Sequence, residues 1–375
     1  MRGILASLLL CLIALPALAA APASAAAAAK PPALLYLATW PHQIVVVDAD
    51  KEKIVDRINV DTDVVRQLVL SPDHKKLYAA SFAHDGIATV DLTTRKVIDS
   101  FDLDNDNHKV RLSGITIDPT GKLLYSIETV VTKQLDHYDI SDPKFVVIDL
   151  SAKAIVRSAD LPKGEDNPGF FRGTMKVSPD GKYLYLFRDT IEVFDTSNFK
   201  LIKKIELEQP PVPDMQNLSL NLVDDPNESP DKVIGLFRST DPFVHRETFG
   251  LAEINLSNLS FDVSPVGPVT TTSVAPLMLT PDRKTGYTAV INGVNGNRIT
   301  EFWVFDMASK KIVAKKEFAG RTRFNFGVTA DGKKLLIYNA GYQIEVYDAK
   351  TLEMTTDINL GGDTTSNLVV VPQGE

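Results

Sequence analysis

The residues of this 375-residue chain best suited to chemistry are six histidines and several short acidic runs. Five of the histidines, His42, His84, His108, His137 and His245, stand in different connections between apolar runs. Zinc sites gather paired ligands at short spacing, so this scatter predicts exposed loop histidines and no metal site. Asp102, Asp104 and Asp106 alternate ahead of His108. They lack the glycine and closing glutamate of a calcium loop, which makes a solvated acidic turn the expectation. Asp136-His137-Tyr138-Asp139 holds the groups for general acid and base work, with no nucleophile placed beside it. No catalytic residue is assigned on this basis. Arg66, Arg111, Arg172 and Arg323 each sit a few residues ahead of a short apolar run. Brought to one place, four guanidinium groups would form an anion site. The competing expectation pairs them with Asp61, Asp63, Asp104, Asp139 or Glu165.

Several chemistries are excluded or disfavoured. No C-x-x-C-H run exists for attaching a c-type haem, and neither a G-x-S-x-G elbow nor a phosphate loop is present. A formal net charge of −8 disfavours nucleic acid or an acidic membrane surface as a partner. Arg2, the apolar run over residues 4–15 and the small residues at 17–19 or 23–25 read as a secretory signal peptide, residues 1–25, cleaved after 19 or 25. A disordered Ala/Pro-rich leader is expected over 26–33. The only cysteine, Cys11, lies inside the signal, so the mature chain is expected to be periplasmic, without thiol or disulfide.

The elements that must position these side chains repeat. Residues 175–207, MKVSPDGKYLYLFRDTIEVFDTSNFKLIKKIEL, hold four short runs rich in β-branched and aromatic residues, separated by turn chemistry. That is one four-stranded antiparallel meander, and it cannot cover its own two apolar faces. Its third strand ends in an apolar run closed by Asp or Asn, and this ending recurs at Asp48, Asp91, Asp149, Asp195, Asn255, Asp306 and Asp348. The intervals of 43, 58, 46, 60, 51 and 42 residues suit seven blades, some carrying insertions. The N-terminal ALLYLATW matches a second strand and the C-terminal NLVVVP a first strand, so each end lacks what the other has. An open solenoid or a sandwich explains neither the count nor these ends. The expected fold is all-β: a single seven-bladed β-propeller over residues 34–375, its four-stranded antiparallel blades closed by the C-terminal strand joining the N-terminal blade.

In a radial meander, first-to-second and third-to-fourth turns emerge on one face, and second-to-third loops and interblade links on the other. The insertions at 128–144, 160–172, 208–216, 239–249 and 292–300 all fall on the second face, whereas an acidic turn at 224–232 falls on the first. Long loops on a rigid scaffold are where binding concentrates. Phe170, Phe171, Arg172, Phe243 and His245 are the candidates for docking a partner there, aromatic and Arg anchors being the usual source of interface strength. The competing role for the three phenylalanines is to plug the channel mouth.

Three runs, LLYSIETVVTKQLDHYDISDPKFVVIDLSAKAI, LFRSTDPFVHRETFGLAEINLSN and IEVYDAKTLEMTTDINLGG, give the chain a resemblance to the β-subunit of quinohaemoprotein amine dehydrogenase, a YVTN-type propeller family. The resemblance covers essentially the whole mature chain in blade order and loop placement, and departs from the family in loop lengths around 239–249. It implies a periplasmic seven-bladed propeller that binds no cofactor itself. Cysteine tryptophylquinone would lie on a small γ-subunit, and haem c on a dihaem cytochrome α-subunit that takes the electrons from a primary amine. The alternative is a stand-alone periplasmic propeller, either a binding protein or a lactonase-like hydrolase working at its channel mouth.

Overall fold

The alternation of apolar side chains decides the architecture. In the N-terminal strand Leu34–Thr39, Tyr36 and Ala38 enter one hydrophobic cluster, while Leu35 and Leu37 enter another on the opposite side of the same sheet. Successive side chains of a strand point to opposite faces, so a run that is apolar at every position needs a neighbour on both sides. The computed structural model describes residues 34–81, 86–162, 174–210, 215–223, 225, 227–241, 243–321 and 323–371. Phe170, Phe171, Arg172, His84 and the expected signal and leader segments fall outside these.

Blade 1 is built from Val65–Leu70, Lys76–Ser81, Ile87–Asp91 and Lys96–Phe101, innermost strand first, and every pairing is antiparallel. Blade 2 follows with His108–Ile117, Leu123–Lys133, Lys144–Asp149 and Ala154–Asp160, plus an extra short strand, Tyr138–Ile140. Blades 3, 4 and 6 start at Thr174–Val177, Ser219–Asn221 and Asn325–Val328, and the innermost strand of blade 5 is split into Thr271–Val274 and Met278–Leu279. Blade 7 joins the two ends of the chain: Val369–Val371 pairs with Leu34–Thr39, with Val371 opposite Leu34 and Val369 opposite Tyr36. Seven hydrophobic clusters alternate with the seven blades, each drawing on two neighbours, and the cluster of blades 7 and 1 completes the circuit. The chain is a seven-bladed β-propeller.

Side chains stitch the innermost strands together where no sheet can. The Asn367 amide accepts from Leu68 N at 2.9 Å and donates to Leu68 O at 3.0 Å, so it serves as a ladder rung between blades 7 and 1. Ser366 Oγ accepts from Ala38 N at 2.9 Å. The closing end is therefore held by hydrogen bonds as well as by buried valines.

The Asp or Asn that marks each repeat has a definite task. In all seven blades its side-chain oxygen accepts backbone N–H groups two or three residues ahead, as Asp195 does from Ser197 N at 2.7 Å and Asp348 from Thr351 N at 2.8 Å. The residue four positions on has positive φ every time: Glu52, Arg95, Lys153, Phe199, Leu259, Lys310 and Leu352. An Asx turn followed by one left-handed residue reverses the chain within five residues, and Asp or Asn supplies the local acceptor. The first-to-second turns use Ser or Thr with Asp, as in Ser71 with Asp73 at 2.6 Å and Thr329 with Asp331 at 2.7 Å. Blade 4 has its own copy, Ser229-Pro230-Asp231, displaced from its first strand by an insertion.

Candidate functional site

The innermost strands surround a central channel of about 690 Å³ with mostly apolar walls, among them Leu68, Ile115, Met175, Met278, Phe326 and Leu368. Strand direction orders its polar groups. Each innermost strand runs from the face of the interblade links to the face of the tight turns, so Arg66, next to the start of its strand, lies toward the first, and Asp225, beyond the end of Ser219–Asn221, lies toward the second. The Arg66 guanidinium donates from Nη2 to the Leu112 carbonyl and thereby spans blades 1 and 2. Arg111 and Arg323 are exposed and do not belong to the channel lining. Arg321, which sequence reading passed over, pairs with the buried Glu345, and Tyr347 donates its hydroxyl to the same carboxylate at 2.8 Å.

The acidic turn expected at 224–232 holds two perturbed carboxyls among its described residues. Asp225 and Glu228 are buried, and burial pushes their carboxyls up to about 6 and about 7. Glu228 accepts from Lys176 Nζ of blade 3 at 2.9 Å and from Ile234 N at 2.8 Å. Asp225 accepts from Leu279 N of blade 5 at 2.5 Å, and Asn227 donates to Leu279 O at 2.8 Å. Arg283 of blade 5 completes the set by donating to Asn227 O at 2.8 Å. One insertion thus clasps three blades. Composition marked its acidity; its burial depends on Lys176 and Leu279, which are remote in sequence.

The other expected clusters are satisfied locally. His137 contacts Asp136 at 2.7 Å and Asp139 at 3.4 Å, and all three are exposed. The Asp104 carboxylate receives Val110 N and Lys109 Nζ, each at 2.8 Å. Among the described residues no three His, Cys, Asp or Glu side chains lie together as a metal site would need.

The loop face differs from the turn face in its apolar side chains. The exposed large hydrophobics of the described residues are Trp40, Leu135, Tyr138, Ile140, Phe243, Val244, Val294, Ile299 and Tyr342, together with six on outermost strands of the blades. All nine named residues belong to second-to-third connections or their edges, in blades 2, 4, 5, 6 and 7. None lies on the face of the tight turns. In blade 4, Asp241 Oδ1 accepts from Phe243 N at 2.8 Å and Val244 N at 3.1 Å, fixing a turn that holds Phe243 83% exposed. His245 stands exposed beside it at φ 52°. At that exposure, Phe243 does not plug the channel.

No family model and no curated protein matches this chain. Solved structures match its fold. A functionally unknown protein from Desulfotomaculum acetoxidans aligns with a TM-score of 0.56 at 10% identity, over 92% of this chain and 100% of that one. A putative 6-phosphogluconolactonase from Bacteroides fragilis aligns at 0.53 and 14%, over 92% and 99%. Dihydro-heme d1 dehydrogenase NirN in complex with DHE aligns at 0.51 and 16%, over 94% and 78%. Likeness at these identities shows a shared fold, which hosts many unrelated functions.

Proposed function

We propose that this chain is the propeller subunit of a periplasmic quinohaemoprotein amine dehydrogenase. In this reading it binds a small quinone-bearing subunit and a dihaem cytochrome c on its loop face, for oxidative deamination of primary amines. The observation that carries the docking role is the one-sided distribution of exposed apolar side chains. The one-sidedness supports a docking face, since aromatic anchors such as Trp40, Tyr138 and Phe243 are the groups from which interfaces draw their strength. The resemblance carried by the three runs quoted above suggests the identity of the partners. The redox chemistry belongs to those partners: cysteine tryptophylquinone on one and haem c on the other. This chain contributes a rigid platform that sets their separation.

The test is isolation of the affinity-tagged chain from its own periplasm. A preparation with haem absorbance, a small additional chain and amine-dependent reduction of the haem is the expected result. An active, colourless monomer that hydrolyses lactones would establish the stand-alone reading instead.

A further inference from the structure

The most exposed stretch of the loop face is also its most regular. Blade 2 rises above its neighbours as an arm: His108–Ile117 and Leu123–Lys133 pair along their full length, and Tyr138–Ile140 adds a third strand at the tip. The arm is tied down at its base. Ser141 N donates to Val130 O at 2.9 Å and Val130 N to Ser141 Oγ at 2.8 Å, while toward the tip Lys133 N donates to Asn107 O at 3.0 Å. Yet residues 133–140 are all exposed, with Leu135, Tyr138 and Ile140 among them.

Hydrogen-bond phase shows what the outer edge of this strand offers. Gln134 N donates to His137 O at 2.9 Å, and Ser141 N to Val130 O. Residues of an antiparallel pair alternate between facing the partner and facing away. His137, Asp139 and Ser141 therefore address the neighbouring strand, while the N–H and C=O groups of Tyr138 and Ile140 point outward. The same two residues share one face of the sheet, so the open backbone groups are accompanied by an apolar pair. An exposed edge of this kind is a template for another strand, and proteins ordinarily blunt it with lysine or proline. Here neither residue type occurs within Tyr138–Ile140. The charges within and beside it are Asp136, Asp139 and Asp142 against Lys133 and Lys144, and Lys144 is already paired with Asp160 at 3.5 Å.

We propose that the partner docked on the loop face adds a β-strand to the edge Tyr138–Ile140, presenting apolar side chains at alternate positions with lysine or arginine between or beside them. Main-chain bonds to Tyr138 and Ile140 give the register, the apolar pair gives burial, and the aspartates select a basic segment. The inference rests on the docking reading above and specifies its contact.

The experiment uses the complex isolated through the tagged chain, and measures amide exchange with and without its partner subunits. Asp139, whose amide faces inward, is the internal reference. Strand addition predicts that the Tyr138 and Ile140 amides exchange freely in the isolated chain and at least about tenfold more slowly in the complex. A second arm uses Ile140→Pro, which removes an outward N–H and leaves the ladder to the neighbouring strand intact. It is expected to melt like the parent and to lose at least about nine-tenths of the retained partner, as the loss of both edge bonding and an apolar contact implies. A complex that forms while both amides still exchange as in the free chain overturns the proposal, as does an Ile140→Pro chain with full retention. Protection that appears in the isolated chain on raising its concentration assigns the edge to a second copy, which also overturns it. A wild-type chain that retrieves no partner overturns the docking reading itself.

Discussion

The two faces of this ring use the same repeat differently. On the turn face, seven Asx turns close with a left-handed residue four positions after the repeat Asp or Asn, and the first-to-second turns add Ser/Thr–Asp pairs. Polar side chains there are occupied in closing the chain on itself. On the loop face the same blades end in connections of unequal length whose apolar tips are exposed: Leu135 fully and Phe243 nearly so. The contrast teaches that the repeat is constrained where it must turn and free to diverge where it need not. The one exception on the turn face, the insertion bearing Asp225 and Glu228, is drawn inward and serves packing between blades.

The strongest way to break this comparison is to remove what both faces depend on. Deleting residues 367–375 strips blade 7 of its innermost strand, three buried valines and the Asn367 rung. Soluble protein should disappear, or the melting temperature fall by on the order of 10 °C. Melting unchanged from the parent would dismiss closure by the two ends.

Lys176→Met tests the exceptional insertion. It leaves the buried Glu228 carboxylate without its cation, at a cost of about 3 kcal/mol at pH 8. The loss should shrink toward pH 5, where Glu228 is protonated. The parent carries the matching signature. Carboxyls raised in the folded state bind more protons there than in the unfolded chain, so their contribution to stability falls as pH climbs from about 4.5 through 7. Denaturant midpoints of parent and variant across this range provide the check; an equal loss at both pH values would remove the carboxylate from the account.

A smaller pair of changes sets the faces side by side. Asp195→Ala removes the acceptor for Ser197 N and should cost about 1 kcal/mol, as loss of a capping side chain does. Phe243→Asp, on the loop face, should leave stability within about 0.5 kcal/mol while weakening partner retention. A marked drop in melting temperature for Phe243→Asp would mean that this face packs rather than docks.

How much was legible follows from how local each cause is. Alternating apolar runs, the repeat Asp and the SPDGK-type turns are local signals, and they specify strands, turns and blade count. The complementary ends carry closure, because a strand missing at one terminus and present at the other has one economical partner. The Ser229-Pro230-Asp231 turn went unread, because an insertion moved it out of phase with its strand. Sequence spacing puts Arg66, Arg111 and Arg323 ahead of a strand, but Val65–Leu70 contains Arg66 and His108–Ile117 contains Arg111; only Arg66 reaches the channel lining, since a long arginine follows whatever acceptor lies near, the Leu112 carbonyl of the next blade in its case.

The sequence by itself determined that this chain makes seven four-stranded meanders, that its two ends belong to one blade, and that its insertions favour one face. Those properties depend on side-chain period and turn chemistry within a few dozen residues. Only the tertiary structure decided that the acidic turn is a buried clasp, that Phe243 faces solvent, and that the backbone groups of Tyr138 and Ile140 point away from the neighbouring strand. Burial and hydrogen-bond phase are set by neighbours brought together from distant parts of the chain, as Lys176, Glu228 and Leu279 are.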